Sequence, residues 1–387
     1  MGDEHNRHIM TIGIKPQLPK DRMSKKKRIS NFFFAAFPLY AILIALFLLL
    51  CTDMTSRPDS WLMRGFTIVS SIAGLAILSR LALLTYGLAK INNPRGGFGA
   101  IRDTNTISQC QPLSFSSQKK KPHIVILLHG FTSSPMIFDH IAKELKENNI
   151  DFHAPLIVGF GLIRHDLLFT LREEDWVRQL TELYDLLASQ YEEISVIGHS
   201  LGGLLAVYLT QLRPVKHLVV AAPAIFPDPA QRSYRFLATS QISAHILSWL
   251  FPFLPKLRRK GRTTPNDVLL DDAAAKYFQY PVAPVRGVFN ILKLQARVDF
   301  TQAQFETFDL LFGAQDLTVD CNKIVEHIKA LNVPHRIHKF DDTAHNPFVD
   351  NESELTSWIV IYILNGDLQW PPESYQQNTA AQINSNL

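Results

Sequence analysis

The residues best suited to chemistry form a pentapeptide, Gly198-His199-Ser200-Leu201-Gly202, of pattern G-x-S-x-G. It lies between a short β-branched apolar run at 194–197 and an apolar stretch of helical character at 201–212. A tight strand-to-helix turn there would push the serine side chain outward in a strained conformation, with glycines where backbone segments crowd. The start of the following helix would aim its dipole and free N–H groups at a reacting carbonyl. Alone the pentapeptide is a weak signal; its placement between strand and helix makes it specific. A second motif, Leu127-Leu128-His129-Gly130-Phe131, ends another apolar run. The turn after it can offer the backbone N–H of Phe131 to an oxyanion, with that of Leu201 as partner.

A serine nucleophile needs a base, and the base needs an orienting acid. The chain has 14 histidines, so the choice rests on position. Asp316 follows the run ending at Phe312 through Gly313-Ala314-Gln315, and His345 follows the run ending at Phe340 through Asp341-Asp342-Thr343-Ala344. Both fall just past the C-terminal ends of expected strands, the edge where open α/β sheets place their sites. The chain order Ser200, Asp316, His345 is that of an α/β-hydrolase triad. The other candidates have structural readings. His199 packs within the turn, His129 organises its loop, His335 and His338 belong to a strand, and Asp320 caps the helix after it. Asp341 and Asp342 lie too close to His345 for an acid on a separate loop.

The elements that must hold these groups alternate. Strands are expected at 124–128, 150–156, 194–197, 217–222, 309–312 and 335–340. Helices are expected at 138–148, 174–190, 201–212, 321–331 and 352–364. That order implies a mostly parallel sheet with helices on both faces.

HGFTSSP, GHSLGG, GAQD and the AHNP region resemble the α/β-hydrolase family, most closely bacterial carboxylesterases and monoacylglycerol lipases. The segment from Ala154-Pro155 to Gly159-Phe160-Gly161 is similar to the turn that follows the oxyanion loop in those enzymes. The resemblance covers about 122–365 and implies a cofactor-free serine esterase, with no metal, acting on carboxylic esters. Two features depart from the family: a long insertion at about 225–306, read as a cap, and the N-terminal quarter. No HExxH motif or phosphate-cradling glycine loop occurs in the hydrolase portion.

The N-terminal quarter reads as a membrane anchor. Residues 32–50 are an uncharged apolar run, which as a helix would span about 28 Å, close to a hydrocarbon core. A second run, 66–89, is interrupted only by Arg80. An arginine at a bilayer centre costs about 2.5–3.5 kcal/mol, and less where it snorkels. The first run is too long for a signal-peptide core. Leu50 before Cys51 is wrong for a lipoprotein signal, and the unbroken apolar run argues against a buried core hairpin. Lys25, Lys26, Lys27 and Arg28 precede the first span, and Lys90, Arg95 and Arg102 follow the second. The positive-inside rule therefore expects a helical hairpin with the catalytic portion in the cytoplasm, at the inner membrane if the cell is bacterial.

The net charge of +4 is local: residues 1–30 hold eight basic and three acidic side chains. The remainder is close to neutral, which gives no case for nucleic-acid binding. Cys51, Cys110 and Cys321 have no metal or disulfide spacing. Residues 1–31 form a basic leader, 91–122 a polar linker, 123–366 the hydrolase domain, and 367–387 a disordered tail. Within the cap, an aromatic apolar stretch at 246–254 precedes Lys256, Arg258, Arg259, Lys260 and Arg262. It could lie on an anionic membrane, though a packed cap helix with a solvated basic turn fits as well. The expected function is a membrane-anchored hydrolase of lipophilic, monoacylglycerol-like esters working through an acyl-enzyme on Ser200. Its partners would be the lipid ester and membrane lipids. Acyl transfer, thioester hydrolysis, or a silent membrane scaffold remain as alternatives.

Overall fold

The computed structural model describes residues 61–92, 100–101, 106–107, 110–117, 121–161, 170–226, 241–256, 261–262, 266–270 and 276–365. The expected basic leader, the first apolar run at 32–50 and the tail at 367–387 lie outside these residues. The first element is a 32-residue helix, α1 (Trp61–Asn92), followed by a small ladder of β1 (Ala100–Ile101) and β2 (Thr106–Ile107). The hydrolase portion begins with β3 (Leu113–Phe115), within the stretch read as a linker, and Cys110 before it is fully buried.

The expected alternation then runs through β4 (His123–Leu128), α2 (Asp139–Glu147), β5 (Asp151–Ala154), α3 (Glu173–Ala188), β6 (Glu193–His199), α4 (Leu201–Thr210) and β7 (Val215–Ala221). The cap contributes α5 (Gln241–Leu250), β8 (Phe253–Pro255), β9 (Val282–Pro284) and α6 (Val285–Gln295). The chain returns through β10 (Phe305–Gly313), α7 (Cys321–Ala330), β11 (Arg336–Phe340) and α8 (Ser353–Asn365). Seven strands form one sheet in the order β11-β10-β7-β6-β4-β5-β3. Every neighbouring pair is parallel except β3, which runs antiparallel to β5 at the edge.

Strand periodicity divides the core. Ile124, Ile126 and Leu128 of β4 face one side with α3 and α4, whereas Val125 and Leu127 face the other with α2 and α8. Burial on both faces is why the central strands read as unbroken apolar runs. Helix α4 is buried throughout, so the serine turn is rooted in the core. Asp320 caps α7 by accepting the Lys323 N–H at 3.1 Å, the role expected for it.

Helix α1 contains the 25-residue segment Gly65–Ala89, long and apolar enough to cross a membrane by length and composition, and an 18-residue apolar stretch of it has no buried residue. The helix packs on the cap near its C-terminal end. Arg80 donates to the carbonyl of Trp249, and its guanidinium lies 4.6 Å from the Trp249 ring centre. The carbonyl belongs to the last turn of α5, where helix acceptors lack intrahelical partners. The structure thus gives Arg80 specific partners within an otherwise apolar run. The expected hairpin itself is not seen, since its first helix falls outside the described residues.

Three histidines, two on strands and one in the loop after β4, set an acid limit on the fold. Burial, reinforced at His123 by His217, pushes His123, His129 and His153 down to about 4 from an ordinary 6.5. Between those values the unfolded chain takes up protons that the folded chain refuses, so stability rises with pH across that window. It is fully present above about 6.5 and lost as pH falls toward 4. The urea midpoint is therefore expected to drop between pH 7 and pH 5. The drop should be shallower in His153→Gln; a midpoint unmoved by pH would contradict this account.

Candidate active site

Ser200 sits between β6 and α4 at φ 53° and ψ −112°, a conformation L-residues rarely adopt. Its backbone is over-determined: the N–H donates to Ala221 O at 2.9 Å, and the carbonyl accepts from Leu204 N at 3.0 Å and Ala224 N at 2.9 Å. Such strain persists only where the surroundings hold it. The glycines make the crossing possible. A Cβ on Gly198 would stand 2.3 Å from Gly202 O, and one on Gly202 would stand 1.9 Å from Leu128 O.

The structure brings together the three side chains expected to work as a unit. Asp316 and His345 lie in the loops after β10 and β11, and His345 Nδ1 is 2.8 Å from Asp316 Oδ2. With Nδ1–H donating to that carboxylate, Nε2 is left to accept from the Ser200 hydroxyl at 2.9 Å. The other Asp316 oxygen accepts the backbone N–H groups of Thr318 and Val319 at 2.6 and 3.1 Å, which fixes the carboxylate plane. Ser200 is buried and the Asp316 carboxylate side chain is only 3% exposed, while the His345 side chain keeps 12% of its surface exposed, so the relay opens at one edge.

The loop carrying Phe131 is pressed against the same turn. A Cβ on Gly130 would lie 3.4 Å from Ser200 Cβ. Leu201 opens α4, where first-turn N–H groups lack intrahelical acceptors. His129 organises this loop, as expected. Its Nδ1–H donates to Gly130 O at 2.9 Å, and its Nε2 accepts from Ile157 N at 3.0 Å. Burial holds it neutral, at about 4. His199 also packs inside the site, with Nε2 donating to the His345 carbonyl at 3.1 Å. Burial, with His345 adding to it, pushes His199 well below the ordinary range, and its Nδ1 has no hydrogen-bond partner among the described residues. His338, read as structural, pairs with buried Asp309 at 2.8 Å, and Arg336 holds the same carboxylate at 2.7 Å.

The cap reaches all three loops. Tyr280 N donates to Thr132 O at 2.8 Å, and Gly287 of α6 lies against the Phe131 ring. Asp267 and Asp350 are important residues that sequence reasoning missed. Asp267 O accepts from His345 N at 3.1 Å, and its carboxylate binds Leu317 N and Thr318 Oγ1, each at 2.8 Å. Asp350 gathers the N–H groups of Ala344, Leu269 and Leu270 at 2.8–2.9 Å, tying the histidine loop to the cap. No local motif marks either aspartate.

A strained serine between strand and helix, hydrogen-bonded to a histidine and then to an aspartate on successive β-strand ends, defines a serine hydrolase of the α/β-hydrolase fold. The chain belongs to the family described as "Serine aminopeptidase, S33", whose profile matches residues 119–352.

A carboxylesterase of Bacillus subtilis (strain 168) is 34% identical over 110 residues, 28% of this chain and 43% of the relative. A thermostable monoacylglycerol lipase of Bacillus sp. (strain H-257) is 32% identical over 90 residues, 23% of this chain and 36% of the relative. The matched stretches thus span less than half of these relatives. Among solved structures, the monoacylglycerol lipase of Paleococcus ferrophilus superposes with a TM-score of 0.53 at 18% identity, covering 65% of this chain and 97% of that one. A soluble variant of the Saccharomyces cerevisiae monoglyceride lipase gives 0.52 at 13% identity, covering 67% and 92%. At such identities the superpositions establish the fold.

Proposed function

We propose that this protein hydrolyses lipophilic carboxylic esters through an acyl-enzyme on Ser200 and is held at a membrane by α1. The observation that carries the chemistry is the continuous relay from Ser200 Oγ through His345 to Asp316. Ser200 Oγ attacks the ester carbonyl carbon as its proton passes to His345 Nε2. The backbone N–H groups of Phe131 and Leu201 take the negative charge that develops on the carbonyl oxygen. The C–O bond to the alcohol breaks, and His345 returns the proton to the departing oxygen. Water then attacks the acyl-enzyme with His345 as base, releasing the acid and restoring the serine. Asp316 keeps the ring in its working tautomer and stabilises the imidazolium.

The preference for a lipophilic ester rests on two supports. Ile246, Trp249, Phe251 and Leu254 of the cap are exposed beside α1, an apolar surface continuous with a helix able to enter a bilayer. The sequence relatives include a monoacylglycerol lipase. With p-nitrophenyl esters of increasing acyl length, activity is expected and should rise from the shortest chains before levelling. A flat or falling profile would sink the lipophilic assignment. For topology, a reporter fused after Leu387 is expected to read cytoplasmic, with both spans crossing. A signal from the opposite side would reduce the anchor to one span.

A further inference from the structure

The cap of such a domain is ordinarily thought of as a cover over the substrate. Here one short piece of it is bonded directly to the loops of the catalytic machinery. Residues 266–270 pass between the loop that carries Asp316 and the loop that carries His345, and Asp267 is bonded to both. Its carboxylate takes the N–H of Leu317 and the hydroxyl of Thr318, the two residues directly after Asp316. Its backbone carbonyl takes the N–H of His345 itself. Thr318 thus gives its hydroxyl to Asp267 and its N–H to Asp316, so the carboxylate and the imidazole loop are set against one fixed point.

Asp267 is itself charged and buried, and the structure supplies its counter-ion. Arg262 Nε meets Asp267 Oδ1 at 2.8 Å, with the two side chains only 6% and 2% exposed. A second Arg262 donor is engaged too, since Nη2 binds the carbonyl of Gln315, one residue before Asp316. A buried ion pair gives little net stability and is costly to break from one side, so its retention calls for another reason. The reason on the page is geometric: the pair bonds residues 315, 317, 318 and 345, which bracket two of the three relay groups.

We infer that Asp267, held by Arg262, is a positioning residue that sets the Asp316–His345 geometry from within the cap. The inference rests on the reading of Ser200, His345 and Asp316 as a working relay. If the relay is correct, Asp267 alters turnover by acting through Asp316. A purely structural aspartate would change stability and leave the remaining folded molecules at full rate.

The test is kinetic, on the full-length membrane-embedded enzyme, with a short p-nitrophenyl ester and a fluorophosphonate that labels Ser200. Labelling of the wild type checks the relay itself; wild-type protein that neither labels nor turns over would overturn the reading beneath the inference. Given an active wild type, Asp267→Asn is expected to lower kcat about 10- to 100-fold, with KM within about twofold and the labelling rate falling in step. Because Asp267→Asn leaves Arg262 buried without a full counter-charge, that variant can fail to fold. The paired variant Asp267→Asn with Arg262→Gln removes both charges and restores a folded protein while retaining the kcat defect. In an Asp316→Asn background, which should already have lost the relay, the paired change should cost little more. A folded paired variant with wild-type kcat would overturn the inference. So would a loss that multiplies in full on top of Asp316→Asn.

Discussion

Ser200→Ala is expected to lower ester turnover by about 10⁴-fold or more, with substrate binding and melting temperature close to wild type. The change removes one oxygen, which in the native protein touches His345 Nε2 at 2.9 Å. Nothing structural depends on that oxygen, because the turn is held by main-chain bonds to Ala221, Leu204 and Ala224. A second substitution separates chemistry from strain. Ser200→Gly should be equally inactive, yet more stable than Ser200→Ala by about 1 kcal/mol, since glycine tolerates φ 53° without a Cβ penalty. Turnover and thermal melts on the three proteins check both parts. An active Ser200→Ala protein would remove the serine mechanism. Equal stability of the two variants would mean that the turn stores no strain.

The legibility of this site in the sequence has a physical basis. A strained strand-to-helix turn constrains its own neighbours, so glycine appears at 198 and 202 where a Cβ would strike backbone. Parallel strands buried on both faces leave continuous apolar runs, and that of β10 located Asp316 at a strand end; His345 follows β11, an edge strand whose partly exposed residues give a weaker signal. Where an element draws its stability from distant partners, the local pattern is silent. Strand β3 is three half-buried residues in a polar stretch, and its existence depends on pairing with β5. Asp267 lies in the cap, fifty residues from Leu317, whose N–H it accepts. Nothing around position 267 distinguishes it from any other aspartate in a loop. Strand ends were misjudged by up to four residues for the same reason: β10 begins at Phe305, where pairing with Val215 extends it beyond its most apolar part.

Gly313→Ala should be among the most damaging small substitutions outside the triad. Gly313 ends β10 opposite Phe340 of β11, three residues before Asp316. A Cβ there would stand 2.1 Å from Thr343 O and 2.2 Å from Ala344 O, both in the loop that presents His345. Neither obstacle is a side chain that could rotate away. Backbone must move, and the segments available to move are those carrying the acid and the base. Their contact depends on a 2.8 Å hydrogen bond, and an opening of about 1 Å takes it out of bonding range. If the fold resists that movement, stability should fall by about 3 kcal/mol or more, the upper end of what forced overpacking in a core costs. If it yields, the folded enzyme should lose about 10²-fold in kcat, the scale on which misplacement of catalytic groups is felt. Gly74→Ala is the matched control, because a Cβ at that helical position meets nothing within 4 Å and alanine favours a helix. Melting temperature and the rate of fluorophosphonate labelling read both branches. A Gly313→Ala protein that melts and labels like wild type would show that the Thr343–Ala344 backbone is not the rigid wall this geometry requires.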